Sequence, residues 1–423
     1  MKVLLDLLGN PHNELKVIHI GGTNGKGSVA RFLNRVFCEA GYNPGLFTSP
    51  FVEEFHERIE LKGRKIYHEE LETFGKRVLE AVSEMVSEGF DTPTEFEIIT
   101  AVAFLYFKEM EAFPVILEVG LGGRGDSTNI VYSPMITAIT SVGLDHTDRL
   151  GKCIADIARE KAGIIKEGVP LVTAVKDRVA TGVIERMAQD RNAEIFRDIS
   201  FEITSLGLYE TCFKCNILGR QYENMKISLA GVHQVANCCT ALAVLEVLRH
   251  QGVETDLASV KRGILKTRNM GRFEVLRRKP AVILDGAHNR DGTLAFANTV
   301  KRLAEKGDID LEPRDGAGPL IVTGMLADKE IEIMVTNLMS VVNEGTGIIV
   351  TEPDSQRKLS AKLLRQEFKK HGVLAEIKNI DEVTDIIVRS KGTVMATGSI
   401  HLIGDLRKRL RTAFDKGGYE NDG

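Results

Sequence analysis

The chain has 423 residues, a net charge of −4, and apolar and charged shares of 43% and 27%, which are ordinary for a globular protein able to bury a sizeable core. There is no basic surplus of the kind that nucleic acid or an anionic membrane surface recruits, and no apolar run approaches a membrane span. The length exceeds one typical domain, so two are expected; the six scattered cysteines and the lack of a secretory apolar segment before Val17 fit a reduced, cytoplasmic protein.

In chain order, "KVIHI" (16–20) is a short apolar strand, and "GGTNGKGS" follows it. Val29, Phe32, Leu33, Val36, Phe37 and Ala40 then recur at helical spacing, and Gly41 is placed to stop the helix. Strand, glycine-rich turn and helix together make a phosphate cradle, in which backbone N–H groups converge on an anion at a helix N-terminus. Four glycines in seven residues (Gly21, Gly22, Gly25, Gly27) are more than an ordinary tight turn needs, and Lys26 would neutralise the β/γ-phosphates. The usual pattern nevertheless fails, because Gly27 stands where a metal-binding hydroxyl follows the lysine. Ser28 lies about 100° further round the helix and points away. "GLFTSPF" is the next strand with its exit loop, and Ser49 at its end can supply the missing hydroxyl to the metal.

"TEFEIITAVAFLYFKEM" reads as a helix, and "PVILEVG" (114–120) and "MITAITSVG" (135–143) as wholly buried strands. Glu118 interrupts the first of these. A carboxylate there must be paired, with Arg124 for example, or bound to a cation such as Mg2+. His146, in "GLDHTDRLG", is either a surface loop residue or a ligand placed at a strand end between Asp145 and Asp148. A helix is expected through "IADIAREKAGIIK", where Lys161 shares the apolar stripe of Ile154, Ile157, Ala158, Ile164 and Ile165. Its amine either snorkels to the rim or is desolvated with a lowered pKa. "VPLVTAV" is a strand, and residues 195–230 are a strand-rich insertion. Cys212 and Cys215 read as two buried thiols on one strand rather than half a metal site. Helices follow at "HQVANCCTALAVLEVLRHQG" and "DLASVKRGILK".

Beyond "NMGRFE" the pattern restarts. "PAVILDGAHN", "PLIVTGML", "TGIIVTEP", "VLAEIKNI" and "GTVMATGS" are five strand-plus-loop units, each followed by a helical stretch. The expected architecture is α/β: an N-terminal, mostly parallel P-loop-type sheet domain (1–270) and a smaller Rossmann-like α/β domain (271–423). The tail "DKGGYENDG" (415–423) reads as a frayed end.

Eleven blocks in order carry a resemblance that spans nearly the whole chain: "HIGGTNGKGS", "TSPF", "ERI", "TEFEIITAVAF", "LEVGLGGRGDSTNI", "LDHTDRLG", "REKAGIIK", "HQVANC", "GRFE", "LDGAHN" and "ATGSIHLIG". The chain resembles the folylpolyglutamate synthase and dihydrofolate synthase family, within the wider Mur ligase superfamily. The glycine after the phosphate-loop lysine is a trait of that family. The resemblance implies that Thr23, Asn24, Gly25, Lys26, Gly27 and Ser28 cradle the ATP phosphates. It implies that Ser49 and Glu118 hold one Mg2+, that Glu118 and His146 hold a second, and that Lys161 carries a CO2-derived carbamate. It places Asn237, Arg272 and Asp285 at the nucleotide, His288 and Ser399 at the incoming glutamate, and Thr94 and Phe96 near the pterin pocket. The implied catalytic residues are Lys161, Lys26 and His146.

The implied reaction phosphorylates a carboxylate of a folate or dihydropteroate from ATP. L-glutamate then displaces phosphate to leave an amide, as the two domains close about residue 270. The implied protein is a monomer. Gly125, Ser127 and Met270 depart from the family pattern. Only 16 residues precede Val17, fewer than the resemblance implies, which leaves open whether Met1 is the true start and whether the substrate rim is complete. Three rival readings remain. A Mur-type ligase for a cell-wall precursor is disfavoured by the length of "TEFEIITAVAF"; a GTP switch lacks an N-K-x-D motif; an inactive nucleotide-binding partner is disfavoured by intact Glu118, His146 and Lys161.

Overall fold

The computed structural model describes residues 1–313 and 318–416. The chain divides into two compact units. The first comprises Met1–Glu202, Phe213–Lys226 and Val235–Thr267; the second comprises Ile203–Cys212, Ile227–Gln234 and the chain from Arg268 onward.

The first unit is built on eight strands: β1 (Val17–Gly21), β2 (Gly45–Phe47), β3 (Ile59–Leu61), β4 (Arg64–Lys65), β5 (Val115–Glu118), β6 (Ile136–Ile139), β7 (Leu171–Thr173) and β8 (Ile195–Phe196). Their order is β4-β3-β2-β5-β1-β6-β7-β8. All neighbours from β2 to β8 are parallel, and β3 and β4 form an antiparallel edge. Central strands β1, β5 and β6 are buried throughout, as apolar runs without alternation require. The helices His68–Ser87 and Glu95–Glu109 contribute Phe74, Val78, Phe104, Tyr106 and Phe107 to one core cluster; Ile139, Ala162, Ile164, Ile165, Leu171 and Ile184 form another. The connection from β1 to β2 passes over β5, whereas that from β5 to β6 passes over β1. Such a reversal opens a crevice at the carboxyl ends of the strands, where ligands of open α/β sheets bind.

Strands β9 (Ile199–Ser205), β10 (Thr211–Ile217) and β11 (Arg220–Ile227) make a three-stranded sheet. The second unit holds β12 (Glu274–Arg278), β13 (Ala281–Asp285), β14 (Leu320–Thr323), β15 (Gly347–Val350), β16 (Glu376–Ile377) and β17 (Val394–Thr397), in the order β12-β13-β17-β14-β15-β16. Only β12 is antiparallel. Both sheets thus agree with the expected α/β architecture. No helix among the described residues is long and apolar enough to cross a membrane.

Several local expectations are corrected. The sequence reading assigns no element to residues 52–93, where the structure places the β3–β4 hairpin and a 20-residue helix, His68–Ser87. The helix carrying Lys161 stops at Ala162, because Gly163 packs so closely that a Cβ there would lie 2.4 Å from the Cβ of Arg124. Ile164 and Ile165 therefore enter the core from beyond the helix. Cys212 and Cys215 are three apart on β10 and face opposite sides, so only Cys215 is buried. Arg124 pairs with Glu160 at 2.5 Å, which removes it as the partner of Glu118. The tail is helical to Lys416, and the rest of the expected frayed end lies outside the described residues.

Candidate active site

The glycine loop leaves the centre of the first sheet, and the helix Lys26–Glu39 begins directly after it. Two glycines are required by geometry. Gly22 has φ +145°, and a Cβ there would come 2.0 Å from Thr140 Oγ1; Gly25 has φ +89°, and a Cβ there would come 2.3 Å from Asn237 Oδ1. The residues after β6 fasten the loop. Ser141 O accepts from Thr23 N at 2.8 Å and Ser141 Oγ accepts from Asn24 N at 2.9 Å. Thr140 Oγ1 donates to Asn24 O at 2.7 Å, and Gly143 N donates to Thr23 Oγ1 at 3.0 Å. Past Ile139, the last residue of β6, Thr140 N still donates to Gly21 O of β1 at 3.0 Å, while the side chains of Thr140 and Ser141 serve the loop. Thr140 and Ser141 were missed in the sequence reading; the only trace of them there was two hydroxyls inside an otherwise apolar run.

Lys26 Nζ donates to Gly22 O at 3.1 Å and to Thr23 O at 3.3 Å. Lys161 Nζ donates to the same Gly22 O at 2.9 Å. Lys161 is only 4% exposed, so its stem does not snorkel. Burial, reinforced by the nearby Lys26 charge and opposed by Asp145, pushes the Lys161 ammonium down to about 7. Asp145 is held close to His146: His146 N donates to Asp145 Oδ1 at 2.8 Å, and Nε2 lies 3.8 Å from the same oxygen. His146 has left-handed backbone (φ +50°) and leads into the short helix Thr147–Leu150.

Glu118, at the end of β5, is 5% exposed, and its Oε2 accepts from Ser49 N at 3.1 Å. Ser49 Oγ is buried without any hydrogen-bond partner. A Cβ on Gly27 would lie 3.4 Å from Glu118 Oε2. That is ordinary van der Waals contact, so position 27 borders the carboxylate directly, and a hydroxyl added there would compete for Glu118 Oε2. An orphaned hydroxyl beside a buried carboxylate fits a hard divalent cation, which takes few protein oxygens and keeps its own waters. No cluster of three or more His, Cys, Asp or Glu side chains suited to a metal occurs among the described residues, so no all-protein cage is present.

The other candidates have defined local roles. Thr94 caps the helix Glu95–Glu109: its hydroxyl accepts from Glu97 N at 3.2 Å, and Glu97 Oε2 accepts from Thr94 N at 2.9 Å. Phe96 lies against Gly120, where a Cβ would meet its ring at 2.6 Å. Ser28 is buried in the first turn of its helix. In the second unit, Arg272 donates to Gly286 O at 3.1 Å, and Asp285 accepts from Phe273 N and Ala287 N, both at 2.8 Å. Burial raises the Asp285 carboxyl to about 6 against the opposing charge of Arg272. His288 Nδ1 is 2.8 Å from Gly286 O, and Ser399 is buried with its Oγ accepting from His401 N at 3.2 Å. The structure therefore gathers Lys26, Lys161 and Gly22 at one point, Ser49, Glu118 and Gly27 at another, and Asn237 over Gly25, all in the first unit. Two further side chains escaped the sequence reading. Asp126 accepts from Leu121 N and from the backbone and hydroxyl of Thr128, and so fixes the turn after β5. Arg58 holds a half-buried guanidinium beside the rings of Phe51 and Phe55.

The chain is similar to known proteins over nearly its whole length. The Mur ligase middle domain matches residues 20–245, and the Mur ligase glutamate ligase domain matches residues 271–403. The dihydrofolate synthase/folylpolyglutamate synthase of Bacillus subtilis is 36% identical, over 97% of this chain and 94% of its own. The folylpolyglutamate synthase of Thermotoga maritima superposes with a TM-score of 0.82 at 34% identity, covering 97% of this chain and 92% of that one. The Mycobacterium tuberculosis folylpolyglutamate synthase, solved with ADP and AMPPCP, has a TM-score of 0.87 at 28% identity, covering 97% and 94%. The chain belongs to the folylpolyglutamate synthase and dihydrofolate synthase family of Mur ligases.

Proposed function

We propose that the protein is an ATP-dependent carboxylate–amine ligase that adds L-glutamate to a folate, and also to dihydropteroate, releasing ADP and phosphate. The observation that carries this reading is the meeting of Lys26 and Lys161 on Gly22 O at the carboxyl edge of the first sheet. The paired activities in the Bacillus subtilis relative's name, and the nucleotides bound to the Mycobacterium tuberculosis structure, support the choice of substrates.

A carboxylate is a poor acylating agent because oxide is a poor leaving group. Transfer of the γ-phosphoryl group to it gives an acyl phosphate; the amine of glutamate attacks the acyl carbon, phosphate leaves, and an amide remains. The chain's part is positioning and charge neutralisation. Lys26 exchanges its loop carbonyls for phosphate oxygens, and the first turn of the helix Lys26–Glu39 presents its backbone dipoles to the same anion. Ser49 and Glu118 would hold one Mg2+, and Glu118 with His146 a second; bound there, the ions neutralise charge developing on the phosphoryl oxygens. Lys161 is suited to take up CO2, because only a neutral amine forms the N–C bond of a carbamate. Asn237, Arg272 and Asp285 are assigned to the nucleotide, His288 and Ser399 to glutamate, and Thr94 and Phe96 to the pterin side. The proposed domains are 1–270 and 271–423, in a cytoplasmic monomer.

The test is ADP release with ATP, glutamate and, in separate reactions, dihydropteroate and a folate. Turnover with both acceptors is expected. Turnover only with a cell-wall peptide precursor, or none with any acceptor, rejects the reading.

A further inference from the structure

Arg58 is the least satisfied cation near the proposed phosphoryl-transfer site. Its side chain is only 12% exposed, yet no hydrogen bond from its guanidinium occurs among the described residues, and Nε is buried without a partner. The nearest carboxylate, Glu95, is 4.0 Å away and 76% exposed, so it neutralises little. The guanidinium lies instead over two rings, 5.2 Å from the centroid of Phe51 and 5.4 Å from that of Phe55. Burial lowers its pKa, with Glu95 and Glu118 acting in the opposite sense. The Nε–H is held out of water without an acceptor, which is costly unless a ligand supplies one, and the terminal N–H groups are left to face whatever enters beside the two rings.

The position of Arg58 says which ligand. Its carbonyl accepts from Thr48 N at 3.0 Å, next to Ser49, whose own amide donates to Glu118. Arg58 thus leads into β3 at the same sheet edge as Ser49 and Glu118, and its guanidinium is close enough to Glu118 to feel its charge. An anion there lies beside the nucleotide's phosphates, not among them. A planar fork matches a carboxylate through two parallel hydrogen bonds, and the flanking rings suit an aromatic or apolar group joined to it.

We propose that Arg58, flanked by Phe51 and Phe55, is the docking cation for the carboxylate of the acceptor that is to be phosphorylated. This rests on the ligase reading and names the residue that selects its acceptor. A bidentate contact engages both carboxylate oxygens but leaves each a free lone pair; one oxygen attacks the γ-phosphorus as the bond to the ADP oxygen breaks, and the other, now the acyl carbonyl oxygen, keeps its hydrogen bond to Arg58.

The test compares wild type, Arg58→Lys and Arg58→Ala by calorimetric binding of pteroate and of its carboxamide, alongside ADP binding and the KM of each substrate. In wild type the carboxylate is expected to bind at least tenfold more tightly than the carboxamide. In Arg58→Ala that preference disappears and the acceptor KM rises at least tenfold, while ADP affinity stays within threefold; Arg58→Lys recovers only a small part, and millimolar guanidinium partly rescues Arg58→Ala. An unchanged carboxylate preference in Arg58→Ala overturns the proposal. So does a parallel loss of ADP affinity, which would make Arg58 a phosphate ligand, or an activity loss matched by a fall in melting temperature with the preference intact. Absence of turnover in wild type with every folate acceptor counts against the ligase reading instead, and the binding comparison separates that result from failure at Arg58.

Discussion

Lys161 is a buried amine whose nearest cation, Lys26, donates to the same carbonyl, and the two together depress its pKa to about 7. An ordinary lysine near 10.5 is almost wholly protonated at neutral pH and adds CO2 poorly. The neutral fraction of Lys161 instead grows as pH rises through about 7, so reactivation of CO2-stripped enzyme by bicarbonate should follow a midpoint near 7 rather than 10.5. Lys161→Ala should abolish synthesis, and short carboxylates such as acetate should restore part of it by supplying the anion; ADP release measures both. At Gly27 the expected effect falls on the neighbouring carboxylate. Gly27→Ser restores the common lysine–serine pair and sets its Cβ in van der Waals contact with Glu118 Oε2, 3.4 Å away, where the added hydroxyl can donate to that oxygen and compete with a cation for it. The Mg2+ concentration for half-maximal ADP release should rise by about 10–100-fold, the scale on which displaced ligand geometry weakens metal sites.

Elements behave according to how local their cause is. Glycine spacing, apolar runs and the helical stripe after Lys26 are local, so the phosphate loop and the central strands could be read directly from the sequence. The anchoring of that loop by Thr140 and Ser141 could not, because it spans 117 residues and depends on which strands become neighbours. Ser141→Ala removes the acceptor for Asn24 N and should lower stability by about 1 kcal/mol while raising the KM for ATP; urea unfolding and ATP titration read the two effects. The helix His68–Ser87 does carry Phe74, Val78, Ala81 and Met85 at helical intervals. Many charged residues between them, and its distance from any motif, hid the pattern. Edge strand β12 went unseen for a related reason: it is half exposed and mixes Glu and Arg with Val and Leu, so its pairing with β13 decides its state. Thr94, assigned to the pterin side, also caps its helix: its hydroxyl and amide make a capping box with Glu97 that the spacing T-x-x-E already spells.

For the whole molecule, two units with separate sheets and cores predict unfolding that is not a single two-state transition. Calorimetry should resolve two components. ADP with Mg2+ at about 100 times its Kd should stabilise the one that contains the glycine loop by about 2.7 kcal/mol. In the second unit, Arg407 grips both oxygens of Glu274 at 2.8–2.9 Å, and Glu274 also accepts from Gly271 N. Arg407→Ala leaves that carboxylate partly buried and unpaired, and should lower the other component by on the order of 3 kcal/mol. If ADP with Mg2+ or Arg407→Ala instead shifted both components together, the two units would form one cooperative block.

The contact between Gly25 and Asn237 has a consequence for biosynthesis. The glycine turn emerges from the ribosome early, but the amide that lies over it belongs to a helix more than two hundred residues downstream. At translation rates of about 5–20 residues per second, roughly 10–40 s pass before that side chain exists. Nascent chains shorter than this hold the turn without that amide over it, so a chain truncated before residue 237 is expected to bind ADP more weakly than the full chain, as calorimetry would measure.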